Sequence, residues 1–192
     1  MANHVNSYIS FENLSEEAEK FLDELMPDYH TETDDIINKI FDLPEGNEYD
    51  WDWYTDNIGA KWITFEDISA NGMSTVTAWS PPEAFYRGLY KKLVSLNSPD
   101  AELFASYDDE MPNFVGCFGL APHDYDYDEY IDEDVYLQCI GCEPHIKTED
   151  GEWEHNDLWW DKFDEWRDQE YKYFKDGYVD YVNELKEEGE IC

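Results

Sequence analysis

The chain has 192 residues, 48 of them acidic against 12 Lys plus Arg, for a formal net charge of −36. Its 8 Trp, 15 Tyr and 10 Phe set it apart from disordered acidic chains, which are poor in aromatics, and supply a real core. That charge excludes a nucleic-acid binder, which needs clustered Lys and Arg, and a protein drawn to anionic membrane surfaces.

The length fits one domain, or a small domain with an extension. Residues 3–11 alternate apolar and polar at Val5, Ser7, Ile9 and Phe11, which predicts a strand. Asn13 and Ser15 then offer helix caps, and Glu16 and Glu17 suit the first turn of a helix. Ala18, Phe21, Leu22 and Leu25 fall at helical spacing before Pro27. A short helix is expected around 36–41, then a loop crowded with Trp and Asp. Residues 58–68 read as a strand, with Trp62, Thr64 and Glu66 on one face and Ile63 and Phe65 on the other. Asn71-Gly72 signals a hairpin into a strand over 73–79. Pro81-Pro82 stops it, and Phe85, Leu89, Leu93 and Leu96 mark a helix over 83–96. Residues 102–107 and 113–120 read as a second hairpin.

The order β-α-β-β-α-β is that of the split βαβ sandwich, a ferredoxin-like α+β fold. The composition then shifts. Residues 1–121 carry 24 acids and the remaining 71 residues carry another 24. The expected organisation is therefore a ferredoxin-like domain over 1–121 and an acidic, aromatic, largely helical extension over 122–192. In the extension a strand is expected at 135–140, a turn at Asp150-Gly151, and a helical stretch over 156–188. Leu158, Trp159, Phe163, Trp166, Phe174, Tyr178, Val182 and Leu185 mark its buried stripe, with Gly177 a point of division into two helices.

Several segments of the first 121 residues, MANHV…YISF at the start, NIGAKW at 57–62, TAWSPP at 77–82 and SYDDEMPNFVGCF at 106–118, together resemble the YubB-like (Api-type) ferredoxin-like domain family of phage, plasmid and genomic-island proteins. Ile58 stands where that family's Asn-Trp-Gly-Thr-Lys-Trp pattern has its first Trp. The resemblance implies the split βαβ fold and a home on a mobile element. It implies no chemistry.

Carboxylates at i, i+3 and i+4 of a helix lie about 5–6 Å apart. Asp157, Asp161, Asp164, Glu165 and Asp168 make such a row, and Glu16, Glu17, Glu19, Asp23 and Glu24 make another. Aromatics interleave with acids at 51–54, 124–130 and 153–160, where rigid rings can anchor an interface and the acids give it direction. The candidate contact surface comprises Asp124, Tyr125, Asp126, Tyr127, Asp128, Glu129, Asp132, Glu133 and Asp134 with Asp157, Asp161, Asp164 and Glu165. Tyr125, Tyr127 and Tyr130 are expected to be exposed, and Trp159, Trp160 and Trp166 to be core.

Cys139-Ile-Gly-Cys142 with His145 and His155 could supply four zinc ligands, but a second CxxC or a spaced His pair is missing. Many carboxylates nearby disfavour the thiolate a redox pair needs. Asp124, Asp126 and Asp128 imitate a calcium loop, yet Glu129 and Val135 stand where Gly and Glu are required. A Gly-rich phosphate loop, a Gly-x-Ser-x-Gly elbow and His-Glu-x-x-His are all missing. The expected protein is thus neither an enzyme nor a cofactor carrier. Met1-Ala2-Asn3-His4-Val5 does not read as a secretory signal, no apolar run approaches the ~20 residues of a membrane span, and the four Cys are irregularly spaced, so a cytoplasmic chain is expected. Duplex DNA also presents a dense negative line, about one charge per 1.7 Å of axis. The expected function is that of an acidic mimic that occupies the groove of a basic nucleic-acid-binding host protein without touching nucleic acid. The rival is a metal-binding or scaffold module.

Overall fold

The computed structural model describes residues 3–28, 30–44, 49–110, 113–132, 141–143 and 145–191. Strand β1 (His4–Glu12) turns Val5, Ser7, Ile9 and Phe11 to one side, all buried, as period-two alternation requires. Ser15 caps α1 (Glu16–Leu25). Its hydroxyl accepts from the Ala18 amide at 3.1 Å, and Glu16, Glu17 and Glu19 face the positive end of the helix dipole. Helix α2 (Thr33–Ile40) buries Ile36, Ile37 and Ile40.

The segment expected as a Trp- and Asp-rich loop is a helix, α3 (Trp51–Asn57). Asp50 makes the difference, because its carboxylate accepts from the Trp53 amide at 2.8 Å and satisfies an otherwise open helix-end donor. Trp53 packs edge-on against Phe41, with ring centroids 5.7 Å apart. Ile58 is the buried C-cap of this helix, so the strand expected from residue 58 begins later. Strands β2 (Ile63–Ser69) and β3 (Gly72–Ala78) form the expected hairpin, but its turn residues are Ala70 and Asn71. Gly72 already lies in β3, where a Cβ would stand 2.8 Å from the Ile9 carbonyl oxygen. Helix α4 (Glu83–Ser95) buries Phe85, Tyr86, Leu89, Tyr90 and Leu93. Strands β4 (Glu102–Asp109) and β5 (Phe114–Ala121) make the second hairpin.

A single 3-10 turn (Pro122–Asp124) leads into β6 (Tyr125–Asp132), which pairs along the whole of β5. The jump in acid density after residue 121 therefore falls inside one continuous sheet. Strands β7 (His145–Lys147) and β8 (Trp153–His155) form a small separate hairpin around the expected turn at Asp150-Gly151. Helix α5 (Asp157–Glu188) has 32 residues and is about 48 Å long. It runs through Gly177 without the expected division. A helical glycine costs only about 1 kcal/mol, and the buried Phe174, Tyr178 and Val182 around it hold the helix in place. Leu158, expected in the buried stripe, is 58% exposed, whereas its neighbour Trp159 is buried. The strand expected over 135–140 lies outside the described residues.

The six strands run in the order β2-β3-β1-β4-β5-β6, and every neighbouring pair is antiparallel. β1 and β2 point the same way with β3 between them, and β3 and β4 do so with β1 between them. The connecting helices α1, α2 and α4 share one core with the sheet, through Val5, Ile9, Leu103, Ala105, Phe118 and Leu120. The alternate residues Phe104, Val115, Cys117 and Ala121 meet α5 in a second core on the opposite face. β4 is consequently buried along its whole length. Helix α5 lies chiefly over β4, β5 and β6 and reaches β1 through Tyr171 beside Tyr8 and Lys175 paired with Glu12 at 2.9 Å, which leaves most of the outer face of β1, β3 and β2 open. The molecule is an α+β protein with an antiparallel sheet, helices on both faces and a long C-terminal helix. Among the described residues, no helix is long and apolar enough to cross a membrane.

Candidate acidic interaction surface

Strand β6 sorts its side chains by face. Tyr125, Tyr127, Glu129 and Ile131 are half-buried, and Tyr125, Tyr127 and Ile131 pack against the α5 core. Asp126, Asp128, Tyr130 and Asp132 are exposed on the α4 side of the sheet. The exposure expected of Tyr125 and Tyr127 is thus not observed, because alternation turns both rings under the long helix. Tyr130 is exposed, at 58%, and leans on Phe114 with ring centroids 5.6 Å apart. The Tyr125 hydroxyl donates to Glu190 at 2.7 Å, and that of Tyr127 donates to Glu129. The Glu190 bond raises the Tyr125 phenol, and burial followed by the Glu129 bond raises that of Tyr127.

On the other side of β6, Arg87 of α4 binds Asp126 at 2.6 Å. Glu83, at the start of α4, is raised above its ordinary value by burial first and then by Asp128, while Arg87 opposes this. Glu83 therefore joins the β6 carboxylates. The sequence offered no sign of this, since it follows from strand order alone. Asp124 closes the 3-10 turn with φ of 62° and is exposed. Glu133 and Asp134 lie outside the described residues.

The second row is on α5. Asp157, Asp161, Asp164, Glu165 and Asp168 are all exposed. Arg167 reaches Asp164 at 3.0 Å and Asp168 at 3.3 Å, so part of the row is compensated. Beneath it lies a buried contact that was not anticipated. Asp108, only 5% exposed, accepts from the Tyr171 hydroxyl at 2.5 Å and stands 4.0 Å from Arg167. Burial raises the Asp108 carboxyl, and the Tyr171 bond and the Arg167 charge hold it back. Two acidic rows thus exist, but on opposite faces of the sheet, one beside α4 and one on α5.

The ladder between β7 and β8 places His145 opposite His155. Cys142 is half-buried and in no disulfide, and Cys139 lies outside the described residues. The buried Cys117 thiol is pushed up to about 12 by burial, which keeps it a thiol. Among the described residues, no group of three or more His, Cys, Asp or Glu is arranged to hold a metal ion. No protein-family model, curated protein or solved structure matches the chain.

Proposed function

We propose that this is a mobile-element protein that inhibits a nucleic-acid-binding host defence protein, of restriction or CRISPR type, by filling its cationic groove with acidic surface. The observation that carries this reading is a charge of −36 displayed from rigid elements. Asp126, Asp128 and Asp132 are carried on a strand, where every second residue is about 6.7 Å on. Asp157, Asp161, Asp164 and Asp168 repeat about every 5–6 Å along α5. Two charged lines on one body resemble the two strands of a duplex, each with about one charge per 3.4 Å. The order β2-β3-β1-β4, with both crossover connections on one face, supports a ferredoxin-like assignment for the first 121 residues and their likeness to YubB-like proteins. That likeness in turn supports the mobile-element origin and action in the host cytoplasm. The protein acts by binding, without catalysis or cofactor.

Immobilised protein incubated with bacterial lysate should retain nucleic-acid-binding proteins, and free duplex DNA should release them as effectively as salt does. If the retained proteins ignore added DNA, charge mimicry is the wrong explanation. Changing Asp124, Asp126, Asp128, Asp132, Glu133 and Asp134 to Asn or Gln, against changing Asp157, Asp161, Asp164 and Glu165, then tells which face makes the contact. The β6-side variant should slow association more than it speeds dissociation, as expected when long-range steering is lost.

A further inference from the structure

The open face of the sheet carries a second feature of a different kind. Ladder register aligns three residues straight across three strands there: Tyr8 of β1 opposes Ser74 of β3, and Ser74 opposes Asp67 of β2. Asp67 reaches this row only because β2 bulges. Thr64 and Phe65 pair in order with Val76 and Thr75, then the register skips Glu66 and brings Asp67 opposite Ser74. Without the bulge Glu66 would hold that place and Asp67 would face the core. Bulges re-aim side chains in this way and are common beside binding sites. The row lines a hollow of about 240 Å³, completed by Ser69 and Asn71. Tyr8 is 50% exposed, with Tyr171 standing beside it at 6.4 Å between ring centroids. Two strand spacings, roughly 9.5 Å, separate the Tyr8 and Asp67 backbones.

We infer that this hollow receives a cationic side chain of the partner, above all an arginine guanidinium, laid on the Tyr8 ring and paired with Asp67. This rests on the reading of the partner as a basic nucleic-acid-binding protein and names the contact that reading lacks. An aromatic face, a carboxylate and hydroxyl and amide oxygens within one hollow match a planar cation with several donors. Acids outnumber the one cation that acts on the ring: Tyr8 is held above its ordinary phenol value by burial first and then by Asp108, with Arg167 opposing and Glu66 and Asp164 adding to the rise. The fold uses the same chemistry next door, where the Arg167 guanidinium stands 5.9 Å over the Tyr171 ring and pairs with Asp164.

The test uses hexa-arginine and hexa-lysine peptides, titrated calorimetrically at about 150 mM salt, where long-range attraction is screened. The wild-type chain should prefer hexa-arginine. Tyr8→Leu, which changes no charge, and Asp67→Asn should each weaken hexa-arginine binding about threefold to fivefold, the size of one cation–π contact. Glu184→Gln, the same charge change at an exposed carboxylate of α5, should weaken it less than about twofold. Tyr8→Leu should also abolish the preference for arginine. Equal affinity for both peptides, or equal losses in Asp67→Asn and Glu184→Gln with none in Tyr8→Leu, would overturn the inference. Those results leave charge mimicry standing, whereas DNA-insensitive capture from lysate defeats mimicry and leaves the peptide results intact. Circular dichroism of each variant confirms its fold.

Discussion

Gly119 shows how a single residue seats the long helix. Across the sheet, Phe104 opposes Gly119 and Gly119 opposes Tyr127. Tyr178 of α5 lies in the gap, with ring centroids 5.3 Å from Phe104 and 5.9 Å from Tyr127. Its hydroxyl donates to the Leu120 carbonyl at 2.8 Å, which fixes the depth of the ring. A Cβ at Gly119 would stand 2.5 Å from Tyr178 Cδ2. The ring is fully buried and anchored at its tip, so it cannot give way. Gly119→Ala should therefore cost about 1–3 kcal/mol, the usual range for overpacking, read as a fall in the urea midpoint with unchanged slope. A variant as stable as the wild type would mean that Tyr178 is not seated on this glycine. None of this was legible in the sequence, where Gly119 is one small residue in an apolar run and its partner is 59 positions away.

At the scale of elements, legibility followed local signals. The strand at Val5–Phe11, the Ser15 cap and the α4 stripe were readable because alternation, a capping hydroxyl and helical spacing each act over a few residues. Helix α3 was missed because its Trp, Tyr, Thr and Asp residues are poor helix formers, although Asp50 gave the capping signal. The 124–130 stretch shows in the sequence as aromatics interleaved with acids, and in β6 Tyr125, Tyr127, Glu129 and Ile131 alternate with Asp126, Asp128, Tyr130 and Asp132. Period two was visible. The candidate carboxylates were legible as a composition, but their division between two faces depends on strand order and on α5 crossing the sheet. That crossing is fixed partly by Asp108, Tyr171 and Arg167. Tyr171→Phe removes the hydroxyl that satisfies a buried carboxylate and should cost about 1.5–3 kcal/mol. Asp108→Asn in the same background should recover part of that loss, because it removes the charge left unsatisfied. Chemical denaturation of the four forms gives the coupling. A coupling near zero would show that α5 docks by its apolar stripe alone.

For the molecule as a whole, the acidic field that would steer a basic partner also opposes folding. A compact body carrying −36 repels itself, and two of its acids, Asp108 in β4 and Glu83 at the start of α4, stand where the protonated form is favoured. Asp108 sits above its ordinary 3.8 and Glu83 above its ordinary 4.5, in both cases chiefly through burial. A carboxyl whose folded value exceeds its unfolded value binds more protons in the folded state between the two. The free energy of unfolding then falls as pH rises through that window. Acidification from neutrality toward about pH 5 should accordingly raise the melting temperature. Added salt at pH 7 should raise it too, by screening the exposed rows, and the salt effect should shrink at the lower pH as charge is lost. Neutralising the β6 carboxylates should reproduce both changes in part, stabilising the fold while slowing association with a basic partner. Thermal melts at three pH values and two salt concentrations, on wild type and that variant, decide the matter. A melting temperature that drops between pH 7 and about pH 5 would show instead that favourably placed carboxylates, such as the α3 cap Asp50, Glu16 in the first turn of α1 and the Arg167 partners Asp164 and Asp168, outweigh the repulsion. The net charge would then be a cost the fold has already neutralised locally, and the field available to capture a partner would be correspondingly weak.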